Sequence, residues 1–191
     1  MAKKEGEFST DDEDMIKKTL QMSEISLVLD CYDDIFSDFD PRPYFERSLS
    51  VDLLEETERA SIDKPYGELD LNFLIPLKQR DLTQESMIKK RLKEHFKKHL
   101  LSSEKEKGSI IKKGIIFTFF GVIFMFLATF SLYYFKEKSM IASFFTILFE
   151  PASWFLFWEG LNQILFESKK ISPKLVFYRK MQRCTIHFFT Y

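Results

Sequence analysis

The sequence predicts an α+β fold in which a two-helix transmembrane hairpin is inserted into a small cytoplasmic α/β domain of about three strands and two to three helices. Three observations predict it: an uneven distribution of charge, two long apolar runs, and strand-like segments near both ends of the chain. Residues 1–85 carry 22 acidic and 10 basic residues, whereas residues 86–191 carry 7 acidic and 18 basic residues. The net charge of −1 is therefore a cancellation between two different regions.

Composition narrows the class of protein further. Phenylalanine accounts for 22 of the 191 residues, and most of these rings lie beyond residue 115, where charged residues are scarce. This crowding excludes a uniformly soluble domain and favours a membrane-embedded part. The 2 cysteines, Cys31 and Cys184, are too few for a disulfide-rich secreted scaffold, so a reducing, cytosolic environment is expected.

Two apolar runs predict the membrane hairpin. Residues 114–135 contain no charged side chain, and a helix of that length crosses a hydrocarbon core of roughly 30 Å. Residues 141–166 form a second, less uniform run, and the short connection between the runs requires an antiparallel pair. Lysines flank the outer ends of both runs, so the positive-inside rule predicts a multi-pass protein of the cell membrane with both termini in the cytoplasm.

Three polar residues, Glu150, Glu159 and Asn162, and one proline, Pro151, interrupt the second run. Proline inside a helix removes a backbone hydrogen bond, so the span is either kinked at Pro151 or broken there, with a new helix beginning at Pro151. The Glu150 carboxylate then has three interpretations, which the sequence leaves open. It caps the new helix, it joins two helices by a hydrogen bond, or it is a functional acid in a proton path or pore.

The remaining chain divides into three parts. Residues 1–22 are highly charged and are expected to form a mobile tail, residues 23–110 the main part of the cytoplasmic domain, and residues 169–191 its C-terminal helix and strand. Since both termini lie on the same side of the membrane in this interpretation, the C-terminal strand can join the N-terminal sheet. The boundaries of the hairpin segment are then 111–168.

Hydrophobic periodicity locates the elements of the cytoplasmic domain. A run of aliphatic residues predicts a strand at 25–29, and strict alternation predicts another at 69–75. A helix over 51–60 is expected to be capped by Ser48 or Ser50. Apolar residues every four positions predict an amphipathic helix over 83–107, capped by Asp81 or Thr83 and ended by Gly108.

The amphipathic helix carries a strongly basic face close to the first apolar run. Anionic lipid headgroups attract lysines near a membrane surface by about 1 kcal/mol each, and nothing in the chain resembles a nucleic-acid-binding fold. The sequence therefore predicts membrane lipids and no nucleic acid as the partners of this face, with headgroup contacts from Lys89, Lys90, Lys93, Lys97, Lys112 and Lys113.

The motifs of known catalytic and cofactor sites are missing from the sequence. The chain has 6 glycines, and none lies in a phosphate-binding loop. His95 and His99 are spaced i, i+4, but the intervening Phe-Lys-Lys replaces the metalloprotease pattern, and the lysines repel a cation. We therefore expect no catalytic residue, no cofactor and no metal ligand, and we do not expect an enzyme.

One polar segment, residues 37–50, is the best candidate for an interaction site. Its prolines, Pro41 and Pro43, exclude a helix, and its charges alternate closely enough to pair with one another. Three interpretations remain: a structural cluster, a surface that docks a protein partner, or a catalytic site. The residues concerned are Asp38, Asp40, Arg42, Glu46 and Arg47.

Two segments resemble those of a known family. The stretch DFDPRP at residues 38–43 and the stretch EPASWFLFWEGL at residues 150–161 resemble segments of a family of uncharacterised prokaryotic integral membrane proteins with two transmembrane helices. The resemblance covers about residues 25–191. It implies the same layout of domain and hairpin, and it implies no activity, substrate or cofactor.

Together these features predict an integral membrane protein whose cytoplasmic domain acts as an adaptor or scaffold module. A sheet of three short strands buries little surface, and such small units often need a protein partner or self-association, so a homo-oligomer is expected. The alternative is a subunit of an oligomeric ion channel or transporter in which Glu150, Glu159 or Asn162 lines the path.

Overall fold

The computed structural model describes residues 24–64, 69–135 and 140–191. Within these ranges the chain forms three strands and four helices of 12 or more residues, which confirms the predicted α+β class. In chain order they are β1 (Glu24–Val28), α1 (Val51–Ile62), β2 (Asp70–Ile75), α2 (Leu82–Phe135), α3 (Met140–Asn162), α4 (Ser172–Arg183) and β3 (Thr185–Thr190). The tail expected at residues 1–22 lies outside the described residues.

The chain divides into two compact units. The first comprises Met1–Leu100 and Val176–Tyr191, and the second comprises Leu101–Leu175. Each unit is described separately below. The first unit draws residues from both ends of the chain, because the second unit is inserted between them.

The first unit is built on a three-stranded parallel sheet in the order β1-β2-β3. Ile25 lies opposite Leu71 of the central strand, and Leu71 lies opposite Ile186 of the C-terminal strand. Parallel strands need long crossover connections, and here these contain α1 and α2 to α4. The C-terminal strand therefore completes a sheet that begins near residue 24.

One face of this sheet forms the core. Phe73 of β2 is 0% exposed, and its ring lies 5.3 Å from that of Phe188 on β3. The first half of α2 supplies a buried stripe of Ile88, Leu92 and Phe96, all at most 1% exposed. Their spacing of four residues places them on one side of the helix, as the amphipathic pattern predicts.

The helix ends show which predicted caps form. Asp81 caps α2, because its Oδ1 accepts hydrogen bonds from the backbone N–H groups of Thr83 at 2.8 Å and Gln84 at 3.3 Å. Ser50 occupies the N-cap position of α1, but its side chain makes no capping hydrogen bond. Ser50 therefore occupies the predicted cap position, but it does not make the predicted capping hydrogen bond.

Two lysines bind the C-terminal ends of helices in the first unit. The buried Lys180 of α4 donates to the carbonyl oxygens of Ser61 at 2.7 Å and Lys64 at 2.8 Å, where α1 ends. Lys93 of α2 donates to the carbonyls of Gln182 and Cys184, where α4 ends. A cation is favourable at this end of a helix because the last carbonyls lack partners within the helix.

Helix α2 is longer than the sequence predicted. It runs without interruption through Gly108, so the prediction that Gly108 ends it is wrong. A glycine in a helix interior costs about 1 kcal/mol relative to alanine, which the long apolar and charged stretches on both sides outweigh. A Cβ atom at Gly108 would meet nothing within 4 Å, so no close packing requires this glycine.

Small residues bring α2 and α3 into close contact in the second unit. A Cβ atom added at Gly121 would lie 2.6 Å from the backbone N of Phe157, and one added at Gly114 would lie 2.8 Å from the carbonyl oxygen of Gly160. Farther along α2, Ser131 Oγ lies 3.2 Å from Oγ1 of Thr146 on α3. The two helices therefore run antiparallel, and glycines let their backbones approach.

The membrane expectation is supported for one helix. Among the described residues, a single helix, within Leu82–Tyr134, is long and apolar enough to cross a membrane, and 11% of its most apolar 18-residue window is buried. The prediction that residues 141–166 form a second span of this kind is not supported by the same criterion. The charged residues Glu150 and Glu159, and Pro151, interrupt that run.

Helix α3 also settles the question raised by Pro151. The helix continues from Met140 to Asn162 with Pro151 inside it, so no new helix begins at Pro151 and the capping interpretation of Glu150 is wrong. The Ser153 hydroxyl donates to the carbonyl oxygen of Glu150 at 2.7 Å.

Candidate functional site

The candidate site is a loop whose two ends lie next to each other. Phe36 and Leu49 pair as an isolated antiparallel bridge, and the N–H of Ser37 donates to the carbonyl oxygen of Ser48 at 2.9 Å. Residues 37–48 are therefore closed into a loop at the base. We call this segment the proline loop, since it contains Pro41 and Pro43.

Asp40 is the centre of the first half of the proline loop. Its carboxylate accepts two hydrogen bonds from the Arg42 guanidinium, at 2.8 and 2.7 Å, and one from the backbone N–H of Ser48 at 2.7 Å. The Arg42 side chain, followed by the Ser48 amide, holds the pKa of Asp40 well below its usual range. The carboxylate is therefore ionised and fixed in place at neutral pH.

Arg47 organises the second half. Its Nη1 lies 2.6 Å from Asp33 Oδ1, and its Nε donates to the carbonyl oxygen of Ser37 at 3.0 Å. Tyr44 OH donates to the same Asp33 oxygen at 3.2 Å. The Tyr44 ring stacks on that of Phe36 with centroids 5.0 Å apart. These contacts tie the loop to the 3-10 turn that follows β1.

Helix α2 holds the loop from the other side. Arg91 donates from Nε to the carbonyl oxygen of Arg47 at 3.1 Å and from Nη2 to that of Glu46 at 3.3 Å. A planar guanidinium that grips two neighbouring carbonyls fixes both position and direction of the chain. The proline loop is thus a rigid projection from the domain.

Beside the loop lies an open groove of about 420 Å³. Its lining combines aromatic and aliphatic side chains with the two arginines, and its far side is the start of α2. The residues that line it are Asp33, Arg42, Pro43, Tyr44, Phe45, Arg47, Gln84 and Met87. We call it the loop groove.

The structure brings together three of the five residues predicted for this site. Asp40, Arg42 and Arg47 form the ion pairs described above, which agrees with the structural interpretation of their charges. Glu46 contributes its backbone carbonyl to Arg91 and a negative charge that raises the pKa of Arg42 after the larger effect of Asp40. Asp38 is exposed, and nothing in the described chain assigns it a contact.

A buried cluster next to this site was not predicted. Glu85, in the first turn of α2, is 4% exposed and accepts two hydrogen bonds from Arg80, at 2.8 and 3.0 Å. Tyr32 OH donates to Glu85 at 3.2 Å and accepts from the N–H of Asp81 at 3.0 Å. Burial raises the pKa of Tyr32. An acidic residue in a first helical turn, five residues after Arg80, was the available signal, but Tyr32 lies 53 positions away in the sequence.

The histidine pair has no third metal-ligating side chain beside it in the part of the chain that the structure describes. The rings of His95 and His99 lie 4.2 Å apart, and no group of three or more metal-ligating residues occurs among the described residues. Burial, together with the neighbouring His99 and Arg91, lowers the pKa of His95 to about 4. His95 is therefore neutral at pH 7, and its ring packs within the domain.

The lysines predicted to contact lipid divide into two groups. Lys93 binds the end of α4, as described above, and Lys89 lies 5.5 Å from the centre of the Phe188 ring, so both have contacts within the domain. The others are exposed on α2, at Lys90, Lys97, Lys112 and Lys113. For these four, lipid contact remains a prediction.

The polar residues predicted inside the membrane lie on α3 in the second unit. Glu150 is exposed and, with Pro151, lines a cavity of about 500 Å³ that also includes Met125, Ser153 and Trp154. Glu159 accepts a hydrogen bond from Gln163 at 2.7 Å and lies 3.5 Å from Asn162. Glu159 and Asn162 therefore belong to one local cluster, while Glu150 lies apart from it.

Comparisons with known proteins add no relative. Neither the protein-family models, nor the curated proteins, nor the solved structures include a match to this chain. The family resemblance of residues 38–43 and 150–161 therefore stays a prediction, and function has to be argued from the site itself.

Proposed function

We propose that the chain is an integral membrane protein whose soluble domain is an interaction or assembly module, and that it self-associates through the loop groove. The observation that carries this proposal is an almost fully exposed aromatic ring in the same loop that forms one side of an aromatic-lined groove. Phe39, in the proline loop, is 98% exposed, whereas Tyr44, Phe45 and Met87 line the groove. Phe45 of the same loop is 55% exposed, and exposed apolar patches, unlike single exposed side chains, mark interaction sites.

Membrane anchorage is supported by the apolar half of α2. Its low buried fraction distinguishes it from the core helix of a soluble protein, which would be mostly covered by its own fold. Lys112 and Lys113 directly precede the apolar stretch, and under the positive-inside rule they support a cytoplasmic position for this end of α2.

In the proposal α3 returns across the membrane beside α2. The close approach of Gly121 to Phe157 and of Gly114 to Gly160 aligns the two helices over the stretch that would lie in lipid. The packing of small residues is typical of helix pairs in membranes. Both ends of the first unit then lie on one side of the membrane, in the cytoplasm.

Reciprocal docking of two copies fits the placement of these features. Phe39 and the groove residues Arg42 to Arg47 belong to the same loop, so a twofold axis can place the Phe39 ring of each copy in the groove of the other. The paired charges of Asp40, Arg42 and Arg47 keep the loop rigid, which lowers the ordering cost of association. The same pairing leaves these groups engaged with one another and argues against a catalytic role.

The proposed contact is tested by the variant Phe39→Ser. Because Phe39 is almost fully exposed, its removal leaves the fold intact, and we expect weaker association. Förster transfer between donor- and acceptor-labelled copies in liposomes measures the association as the protein is diluted with lipid. Leu77→Ser, which removes an apolar side chain that is 71% exposed elsewhere in the domain, is the matched control. Equal transfer in both variants contradicts the proposed contact.

The channel alternative has one observation in its favour. Glu150 is exposed on α3 beside the cavity of about 500 Å³, and an exposed carboxylate within a bilayer costs about 2.5 to 3.5 kcal/mol on insertion scales. A neighbouring copy that supplies polar groups would remove this cost. Ion flux into liposomes that is lost in Glu150→Gln without loss of assembly supports the channel.

A further inference from the structure

The cavity of about 500 Å³ beside Glu150 belongs to the second unit. Its lining comprises Met125 of α2 and, on α3, Glu150, Pro151, Ser153 and Trp154. Binding sites for small molecules are typically concave and have volumes of about 300 to 1,000 Å³. The cavity therefore has the size of a small-molecule site, and we call it the Glu150 cavity.

The Glu150 cavity lies at the middle depth of the proposed membrane span. Met125 is close to the centre of the uncharged run over residues 114–135, so it is about 16 Å along the helix from either end of that run. Phospholipid headgroups lie at the ends of such a span, because the hydrocarbon core is about 30 Å thick. An occupant of the cavity therefore has to be soluble in the hydrocarbon core.

An unpaired carboxylate is the main chemical feature of the cavity. Within residues 24–64, 69–135 and 140–191, no side chain forms an ion pair or a hydrogen bond with the carboxylate of Glu150, because the Ser153 hydroxyl donates to the backbone carbonyl of Glu150 instead. Glu159 of the same helix, by contrast, accepts a hydrogen bond from Gln163 at 2.7 Å. A charged carboxylate at this depth is costly, and a bound cation offsets that cost.

The helix backbone adds a second acceptor beside Glu150. Pro151 has no N–H group, so it cannot donate to the carbonyl oxygen of Ile147, four residues earlier in the same helix. That carbonyl points along the helix towards Pro151, which lines the cavity. The backbone next to Glu150 therefore adds negative potential, which also favours a cation.

Two indole rings supply an aromatic wall. The Trp154 side chain lines the cavity, and the Trp158 ring stacks on that of Trp154 with centroids 6.4 Å apart and an angle of 14° between the planes. Trp154 is 64% exposed and Trp158 is 60% exposed, so both rings are accessible to a ligand. Indole attracts cations more strongly than the other aromatic side chains do, and aromatic rings recognise quaternary ammonium groups in this way.

We propose that the Glu150 cavity binds a lipophilic organic cation, with the positive charge between the Glu150 carboxylate and the Trp154 ring. A cation whose charge is shielded by apolar groups enters the hydrocarbon core, which excludes phospholipid headgroups and hydrated metal ions. This inference rests on the membrane placement of α2 and α3 in the proposed function. It does not depend on self-association through the loop groove.

A metal ion fits the cavity less well. Calcium takes about six to eight oxygen ligands, and magnesium retains a shell of water, whereas Glu150 supplies the one carboxylate among the described lining residues. No group of three or more metal-ligating side chains occurs in the described part of the chain. A proton is the simplest competitor, because it also removes the charge of Glu150, but it needs neither the cavity nor Trp154.

Equilibrium binding of tetraphenylphosphonium to the full chain in phosphatidylcholine nanodiscs tests the proposal. This probe is a lipophilic cation, and empty nanodiscs measure its partition into lipid alone. We expect saturable binding above the signal of the empty discs. Tetraphenylborate has a similar shape and the opposite charge, and it should show no saturable binding. Equal saturable binding of both probes would contradict recognition of the charge.

Two substitutions and their matched controls assign the binding to the cavity. Glu150→Gln removes the charge and keeps the shape, so the dissociation constant should rise at least about tenfold. Glu159→Gln, whose carboxylate is engaged with Gln163, should leave it unchanged. Trp154→Leu should weaken binding about three- to fivefold. Phe155→Leu, which replaces a ring that is 66% exposed and does not line the cavity, should not.

Tryptophan fluorescence tests the membrane placement separately. Trp154 and Trp158 are the 2 tryptophans of the chain, and lipids brominated in their acyl chains quench them when α3 lies in the hydrocarbon core. If this quenching is absent, the membrane placement is wrong and the inference fails with it. If quenching is present but saturable binding is absent, or is equal in Glu150→Gln, the inference alone is overturned.

The variant Phe39→Ser separates this inference from the proposed self-association. The Glu150 cavity is formed by a single chain, so binding of tetraphenylphosphonium should be the same in Phe39→Ser as in the wild-type protein. Loss of binding in Phe39→Ser would contradict a site that one chain completes by itself.

Discussion

Replacing Lys180 by methionine tests whether the two ends of the chain are joined into one domain. Lys180, on the C-terminal helix α4, donates to two carbonyl oxygens at the end of α1, at 2.7 and 2.8 Å, and its side chain is buried. Methionine has a similar volume but no donor, so the change leaves two carbonyls without this partner.

The expected loss follows from these two bonds. Hydrogen bonds to charged groups contribute about 1.5 to 3 kcal/mol each, and their loss is offset in part by renewed hydration of the freed groups. We therefore expect Lys180→Met to lower the free energy of unfolding by about 3 kcal/mol. Lys174→Met, on the same helix but exposed, is the control and should change it by less than about 0.5 kcal/mol.

Urea unfolding in detergent micelles measures this loss within the first unit when it is monitored by hydrogen exchange in peptides from β2. The central strand reports on the whole sheet, because it pairs with both β1 and β3. If Lys180→Met and Lys174→Met unfold at the same urea concentration, the contact between the ends does not carry the stability assigned to it.

Two further predictions concern the helix pair and the pH response. Gly160→Ala should destabilise the packing of α2 on α3 by about 1 to 3 kcal/mol, because its Cβ would lie 2.5 Å from the backbone N of Thr118. Gly108→Ala, with nothing within 4 Å, should instead stabilise α2 by about 1 kcal/mol. The free energy of unfolding of each variant in mixed micelles distinguishes the two effects. Destabilisation by both Gly160→Ala and Gly108→Ala would contradict the assigned packing. Because the pKa of His95 is lowered from 6.5 to about 4, the unfolded chain binds a proton first as the pH falls. Stability should therefore decrease between about pH 6.5 and pH 4, and less steeply in His95→Gln. Urea midpoints of the wild-type protein and of His95→Gln at pH 7 and pH 5 measure this pH dependence. An equal loss of stability in both proteins between the two pH values would refute the prediction.

Hydrophobic patterns in the sequence correctly predicted the strands and helices that bury one face. The alternation of Leu69, Leu71 and Phe73 and the four-residue spacing of Ile88 and Leu92 correspond directly to buried faces. Such patterns reflect the geometry of a single strand or helix, so they can be recognised without knowledge of the tertiary structure.

The errors arose where neighbouring structure outweighed a local rule. Gly108 and Pro151 are both helix breakers by propensity, yet each lies inside a helix. Propensity costs of about 1 to 3 kcal/mol are overridden when long flanking segments or nearby side chains stabilise the helix. The sequence did not reveal which of these forces would dominate.

The candidate site could be predicted only in part for a similar reason. Asp40 and Arg42 are two residues apart, and their pairing is evident from the sequence. The contacts of Glu85 with Tyr32 and of Lys180 with Ser61 join residues 53 and 119 positions apart. These contacts depend on the sheet topology, which no local pattern specifies.

The mass of the protein extracted into nanodiscs, measured by light scattering, tests the central claim most directly. Reciprocal docking through the loop groove predicts a dimer that dissociates to a monomer in Phe39→Ser and persists in Leu77→Ser. A wild-type monomer at every protein concentration, or a larger ring that Phe39→Ser leaves intact, would contradict the proposed self-association.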